Sequence, residues 1–399
     1  MGSVFWKITG LVALFAAVAV WLAWATSPEP GVNPATFEDD PVQMRIAPLS
    51  EAVTLAQRQR SDGSIATILV TALEGDHLSG IDLALLEAEE SADPFAVLAS
   101  VSEDRLLPGA LSEEPIERFA MSDLLPAAPT GDRHIGTGTN FPEHADESGS
   151  EAVFQFPKFG QASPSRMSVA AGQNTLLDYE VEFCMRFDRE IGSVGDFDAA
   201  TKGLFLCGDF TDRAKLIRIL KTGGLDDGRG FSDGKSREDF YPSGSLLVIP
   251  RDWKAFIASE RMTTQVNGER RQDARGVEME LDFRALVEKA LGDMDQQRFL
   301  YQDAMYRLAP QASITPEMTL MSGTSEGVIF SAPTRGEIIE GAVNWLLEGY
   351  WLRGESVIDA VIETLIANRD EAEIFLQPGD VVTHQSSRMG DIVARVTAD

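Results

Sequence analysis

Leu177-Asp178-Tyr179-Glu180-Val181-Glu182-Phe183-Cys184 is the stretch on which the reading of this chain turns. Acidic and apolar residues alternate with the period of a strand, so Glu180 and Glu182 project to one face, about 7 Å apart at Cα. Two carboxylates this close repel each other and are costly to bury unpaired. A hard divalent cation relieves both penalties, since magnesium and manganese prefer oxygen ligands. A solvent-facing strand with two glutamates is the simpler reading of Glu-x-Glu alone, so the surrounding sequence has to decide.

Downstream, Leu204–Cys207 reads as a second strand. Gly208-Asp209-Phe210-Thr211-Asp212-Arg213 ends it with an acid able to supply a third carboxylate. Gly234-Lys235-Ser236 sets a lysine in a glycine-flanked turn. Composition points the same way. The 399 residues carry 63 acidic against 34 basic side chains, a formal charge of −29. Such a surface repels phosphate backbones and excludes nucleic acid as a partner. At 44% hydrophobic and 24% charged the chain is globular, with length for two or three domains. Two cysteines and four histidines (His77, His134, His144, His384) exclude a disulfide scaffold and a cysteine-rich zinc module. A metal site would have to be built mostly from carboxylates.

From Gly136 onward the order of motifs resembles the fumarylacetoacetate hydrolase family. The family's G-x-N-Y-x-x-H-x-x-E is matched by Gly138-Thr139-Asn140-Phe141-Pro142-Glu143-His144-Ala145-Asp146-Glu147. Its L-D-x-E-x-E, N-D-x-[ST] and G-K-S motifs follow at Leu177, Asp209 and Gly234. Then come Asn267-Gly268-Glu269-Arg270-Arg271-Gln272, Ser322-Gly323-Thr324-Ser325-Glu326-Gly327-Val328 and Leu376-Gln377-Pro378-Gly379-Asp380-Val381-Val382.

The resemblance implies an α+β fold: a layered β-sheet roll with flanking helices, occupying 127–399, behind a small accessory domain at 44–126. It implies a homodimer. It implies Mg2+ or Mn2+ on Glu180, Glu182 and Asp209, polarising the oxygens of a small 2-keto or 2,4-dioxo acid. His144 is then the general base, oriented by Glu147 three residues on along a helical turn. Lys235 stabilises oxyanion charge, and Arg213, Lys158 and Thr324 contact substrate. The implied reaction is hydrolysis of a carbon–carbon bond in an acylpyruvate-type substrate. A hydratase, decarboxylase or isomerase acting on a related 2-keto acid is the enzyme alternative. A membrane-tethered binding protein that kept the fold without the chemistry is the other.

The chain departs from the family pattern where substrate is shaped. After Arg213 the family has D-x-Q, and here Ala214-Lys215-Leu216 stands instead. Ser236-Arg237-Glu238-Asp239 and Ser325 are further departures, and about 35 extra residues separate Val328 from Leu376. These extra residues read as a helical hairpin at about 335–370, with Ser356 and Asp359 forming a capping box. His134 and His77 match nothing and read as surface residues; His384 has no assignable role. Cys184 and Cys207 read as two buried thiols, a disulfide requiring that their strands be adjacent and the domain exported.

Elsewhere, Ser64–Leu73 reads as a strand, Ile81–Ser91 has helical spacing, and one helix is predicted over Asp282–Arg307. Residues 1–25 contain a run of apolar and small residues, Ile8–Ala25, interrupted only by Thr9 and Gly10, preceded by Lys7 and with Trp21 and Trp24 near its end. Its 18 residues are just long enough for a hydrocarbon core of roughly 30 Å, predicting a transmembrane anchor. The body of the chain would then lie on the outer, periplasmic side. The competing readings are a signal peptide cleaved after Ala23-Trp24-Ala25, with export, or a cytoplasmic location. Residues 26–43 read as a linker.

Overall fold

The computed structural model describes residues 17–150, 152–172, 174–220 and 228–398. Its strands are β1 (Ala52–Gln59), β2 (Ile65–Glu74), β3 (His77–Asp82), β4 (Glu117–Ala120), β5 (Arg133–Gly138), β6 (Phe154–Phe159) and β7 (Arg166–Ala171). They continue as β8 (Val181–Phe187), β9 (Lys202–Gly208), β10 (Leu247–Pro250), β11 (Arg261–Val266), β12 (Glu269–Arg275), β13 (Leu320–Thr324), β14 (Val381–Ser386) and β15 (Asp391–Ala398). A ten-stranded sheet runs β4-β3-β2-β1-β10-β9-β8-β13-β5-β6, and a five-stranded sheet runs β12-β11-β14-β15-β7. The fold is thus the expected mixed α+β one.

β8 lies at the heart of the larger sheet and is buried along its whole length. Its neighbours are both antiparallel: β9 pairs Cys207 with Glu182 and Phe205 with Cys184, while β13 pairs Thr324 with Glu182. Phe183, Met185 and Phe187 enter the main hydrophobic core. The alternate positions Glu182 and Cys184 point to the other face, as a two-residue period requires. Strands β1–β4 are not a separate layer, because β1 pairs with β10 and extends the same sheet.

The helices that position the site are short. They are α1 (Pro142–Ser148), α2 (Arg213–Leu220) and α3 (Phe231–Lys235). Next come α4 (Phe283–Asp293), α5 (Arg335–Leu347) and α6 (Val357–Glu371). The Ser356/Asp359 box forms, with reciprocal side-chain-to-backbone bonds of 3.2 and 3.0 Å.

Several local expectations need correction. The helix predicted over Asp282–Arg307 stops at Asp293. Gln302 and Asp303 both take positive φ and turn a hairpin between strands Phe299–Tyr301 and Ala304–Tyr306, which no helix can accommodate. Ile81–Ser91 is not helical either: Ile81 pairs with Leu69, and only Leu83–Leu86 make a single 3-10 turn, closed by Glu87 at φ 63°. Residues 26–43 are laid against the body of the protein. Asn33 donates to the Val328 and Phe330 carbonyls, and Glu38 pairs with Arg275.

The predicted transmembrane helix is not found. Among the described residues no helix is long and apolar enough to cross a membrane. Residues 17–25 are helical. The rest of the predicted span, residues 8–16, lies outside the described residues. The periplasmic placement that rested on this anchor loses its support.

Candidate active site

Glu180, Glu182 and Asp209 bring carboxylate oxygens within 4.8 Å of one another, all three residues buried. Glu182 comes from β8, Glu180 from the residue just before it, and Asp209 from the residue just after β9. The antiparallel pairing of β8 with β9 is what converges them, sealed by the Asp209 N–H donating to the Glu180 carbonyl at 2.9 Å.

Three cations surround this triad. Lys235 at the end of α3 lies 2.7 Å from Glu180 Oε2 and 2.9 Å from Asp209 Oδ2. Arg213, which opens α2, bonds Glu180 Oε1 at 2.5 Å and Asp178 Oδ2 at 2.8 Å. Lys158 from β6 is wholly buried and bonds Asp209 Oδ1 and the Lys235 carbonyl, both at 2.5 Å. With all groups ionised, Asp178, Glu180, Glu182 and Asp209 exceed Lys158, Arg213 and Lys235 by one negative charge.

The charges fall unevenly. Burial pushes the Glu180 carboxyl up, but the Lys235 ammonium and Arg213 guanidinium together outweigh it and hold the group below the usual range. At Glu182 burial first, then the Asp209 and Glu180 carboxylates, outweigh the more weakly felt Lys235 ammonium and hold its carboxyl well above that range. Burial pulls the Lys158 ammonium down despite Asp209, whereas Asp209 and Glu180 more than offset burial at Lys235 and raise it.

One carboxylate oxygen is left over. Glu182 Oε2 accepts from the Gly323 N–H at 2.7 Å, yet Oε1 is buried with no hydrogen-bond partner. Asp209 Oδ2 is also buried, and Lys235 Nζ stands 2.9 Å from it without forming a well-angled hydrogen bond. Unpaired buried carboxylate oxygens are costly. One such oxygen on Glu182, beside two more buried carboxylates, fits a hard divalent cation held by Glu180, Glu182 and Asp209.

His144 and Glu147 share one face of α1. This helix starts with Pro142 in its first turn and ends at Gly149, whose φ of 68° caps it. His144 Nδ1 lies 3.0 Å from Glu147 Oε2, and Glu147 Oε1 accepts from the Gly327 N–H at 2.8 Å. With Nδ1 donating to the carboxylate, Nε2 carries the lone pair, and among the described residues it has no partner. Thr324 donates its hydroxyl to the Val181 carbonyl and accepts from Gln272 Nε2.

His144, Glu147, Glu180, Arg213, Lys235 and Thr324 all line one cavity of about 410 Å³. Lys158, expected to touch substrate, is not on its wall; it sits behind Asp209. Two residues of the cluster were not singled out from sequence. Asp178 orders the 327–330 segment by accepting from the Ile329 and Phe330 N–H groups while it holds Arg213. Gln272 bridges β12 to Val181, Thr264 and Thr324. Both stand inside the motifs quoted above, which was the available signal.

The remaining histidines and the cysteines differ from expectation. His134 is fully buried, not on the surface: its Nδ1 accepts from the Thr319 N–H and its Nε2 lies 3.1 Å from the Gly160 carbonyl. His384 is buried against Thr264, with Nε2 unpaired. Burial pushes both imidazoles down to about 3. Cys184 and Cys207, diagonal neighbours on β8 and β9, form a disulfide rather than two free thiols.

The family model described as "Fumarylacetoacetate (FAA) hydrolase C-terminal" matches residues 133–397, about two thirds of the chain. The chain belongs to the fumarylacetoacetate hydrolase family. Enzymes of this family include hydrolases and isomerases and use divalent metals. Among solved structures, the chain is similar to an HpcE-type protein from Mycobacterium smegmatis, at 17% identity and TM-score 0.52, covering 86% of this chain and 100% of that one. It is also similar to a probable 2-hydroxyhepta-2,4-diene-1,7-dioate isomerase from Mycobacterium abscessus, at 17% identity and TM-score 0.51, covering 87% and 99%. A third, fumarylpyruvate hydrolase from Pseudomonas aeruginosa with Mn2+ and pyruvate, shares 17% identity over 67% of this chain and 90% of that one, at TM-score 0.42. At these identities the likeness shows the fold alone. None of the curated proteins compared with the chain matches it.

Proposed function

We propose that this protein is a divalent-metal-dependent hydrolase that cleaves the C3–C4 bond of a small 2,4-dioxo acid, releasing pyruvate and a carboxylic acid. The observation that carries the reading is the buried triad with an unpaired oxygen on Glu182, whose Glu180 lines the same cavity as a histidine held by a carboxylate.

Mg2+ or Mn2+ on Glu180, Glu182 and Asp209 supplies positive charge for the substrate's keto-acid oxygens and for the enolate charge that develops during cleavage. The other steps belong to the chain. Glu147 holds the His144 Nδ1 proton, so Nε2 is free to take a proton from water. The resulting hydroxide adds to C4, the C3–C4 pair leaves as the pyruvate enolate, and the proton on Nε2 returns to C3. The base is regenerated, and one water is consumed. Lys235, held charged between Glu180 and Asp209, faces the cavity as a fixed cation for the oxyanion. Arg213 helps keep Glu180 ionised, and Lys158 holds Asp209 Oδ1 from behind.

The test is product analysis with 2,4-dioxopentanoate. The reading expects one pyruvate and one acetate per substrate in the presence of Mg2+ or Mn2+. Conversion of the substrate to an isomer, hydrate or decarboxylated product instead would replace hydrolysis with another reaction.

A further inference from the structure

The cavity has two chemically distinct ends. One holds the triad-facing groups already described. The other is walled by Leu216, Ile217 and Leu220 of α2, Phe231 of α3, and Ile362 and Leu365 of α6. Among the described residues lining the cavity the basic side chains are His144, Arg213 and Lys235, and each is already paired with a carboxylate beside the triad or on α1. A second carboxylate pushed into the far end would lose its water and gain no cation from the described residues there.

The apolar end is built, not incidental. Leu216 stands where the family pattern has glutamine. Ile362 and Leu365 come from the hairpin that lengthens this chain between Val328 and Leu376. That hairpin is locked in place on two sides. Arg218 of α2 binds Glu363 through two bonds of 2.8 Å, tying α6 to α2. The fully buried Arg369 pairs with Glu337 of α5 and donates to the Ser331 and Ala332 carbonyls, fixing the segment whose Ala332 and Pro333 complete the cavity wall.

We infer that the hairpin makes this site select a 2,4-dioxo acid with an apolar alkyl chain on its C4 carbonyl, over substrates that end in a second carboxylate. The inference rests on the hydrolase reading for its substrate head group. Leu216, Ile217 and Leu220 form one side of the tail subsite, and Ile362 and Leu365 the other.

The experiment compares kcat/KM of the Mg2+-loaded full chain on 2,4-dioxopentanoate, 2,4-dioxohexanoate, 2,4-dioxooctanoate and the length-matched 2,4-dioxooctanedioate. The expected rise is on the order of threefold to fourfold per added methylene, and the dicarboxylate should fall roughly 100-fold below its methyl-ended match. Ile362→Ser, at a half-buried position, should compress that ratio. A flat series, or a preference for the dicarboxylate, overturns the inference while leaving hydrolysis intact. Calorimetric binding of 2-oxooctanoate and 2-oxooctanedioate, which lack the C4 oxo group and cannot be cleaved, separates the two readings. Tighter binding of 2-oxooctanoate without turnover of any dioxo acid would sink the hydrolase and keep the tail subsite. Binding of neither, with no turnover, would overturn both.

Discussion

The backbone N–H of Gly323 donates to Oε2 of Glu182 at 2.7 Å, and the other carboxylate oxygen is buried with no hydrogen-bond partner. Gly323 sits at φ +82°, and a Cβ there would lie 3.2 Å from the Thr137 carbonyl and 3.3 Å from Asn140 Cβ. Gly323→Ala is expected to cost about 1–2 kcal/mol in denaturant unfolding and to weaken divalent-metal affinity by displacing the amide. A variant with parental stability and metal affinity would show that the amide does not set the ligand.

The His144–Glu147 pair predicts an ordered set of losses. His144→Asn should lower kcat by roughly 10²–10⁴-fold, the ordinary worth of a general base. Glu147→Gln keeps a hydrogen-bonding group but loses the charge that fixes the tautomer, so its loss should be smaller, roughly 10- to 100-fold. Metal titration of both variants should match the parent. If Glu147→Gln proves as active as the parent, the orienting role fails.

The two buried histidines predict acid sensitivity. His134 and His384 are held down to about 3, whereas an unfolded histidine takes its proton near 6.5. The unfolded state therefore binds more protons across this window, and stability falls as pH drops from about 6.5 toward 3. Each histidine contributes a slope near 1.4 kcal/mol per pH unit well below 6.5. Unfolding at pH 5, 6 and 7 should show a shallower slope for His384→Asn than for the parent. Equal slopes would mean that His384 takes its proton without leaving its pocket.

The Cys184–Cys207 disulfide ties together the two strands that carry the ligands and closes a separation of 23 residues. Loop-closure entropy assigns such a link about 3 kcal/mol. Cys184→Ala with Cys207→Ala should be less stable by that order, and thiol reduction of the parent should give the same decrease in unfolding midpoint. A double variant as stable as the parent would show that the link adds nothing to the sheet.

Much of the site is legible in the sequence because its parts lie in short motifs. Glu180 and Glu182 are fixed by strand alternation, and His144 with Glu147 by helical spacing, so local periodicity alone places each pair. What joins them is register, which no local pattern encodes. The apposition of Cys207 with Glu182 brings Asp209 to the triad and also makes the disulfide, and both depend on which residue of β9 faces which residue of β8. His134 read as a surface residue because its two partners are backbone groups of Gly160 and Thr319, far away in sequence. The helix predicted over Asp282–Arg307 overran because apolar residues continue past Asp293, while the hairpin at Gln302 and Asp303 is set by backbone conformation. The apolar cavity wall was hidden for a similar reason: Leu216 and Ile362 meet only after Arg218 and Glu363 dock α6 on α2.

The most direct test of the central claim is a divalent-metal titration of chelator-treated protein, with pyruvate release from 2,4-dioxopentanoate as the readout. The account predicts no turnover without metal, recovery as one Mg2+ or Mn2+ binds per chain, and loss of both binding and turnover in Glu182→Ala. Full activity in the metal-free parent, or recovery in Glu182→Ala equal to that of the parent, would contradict it.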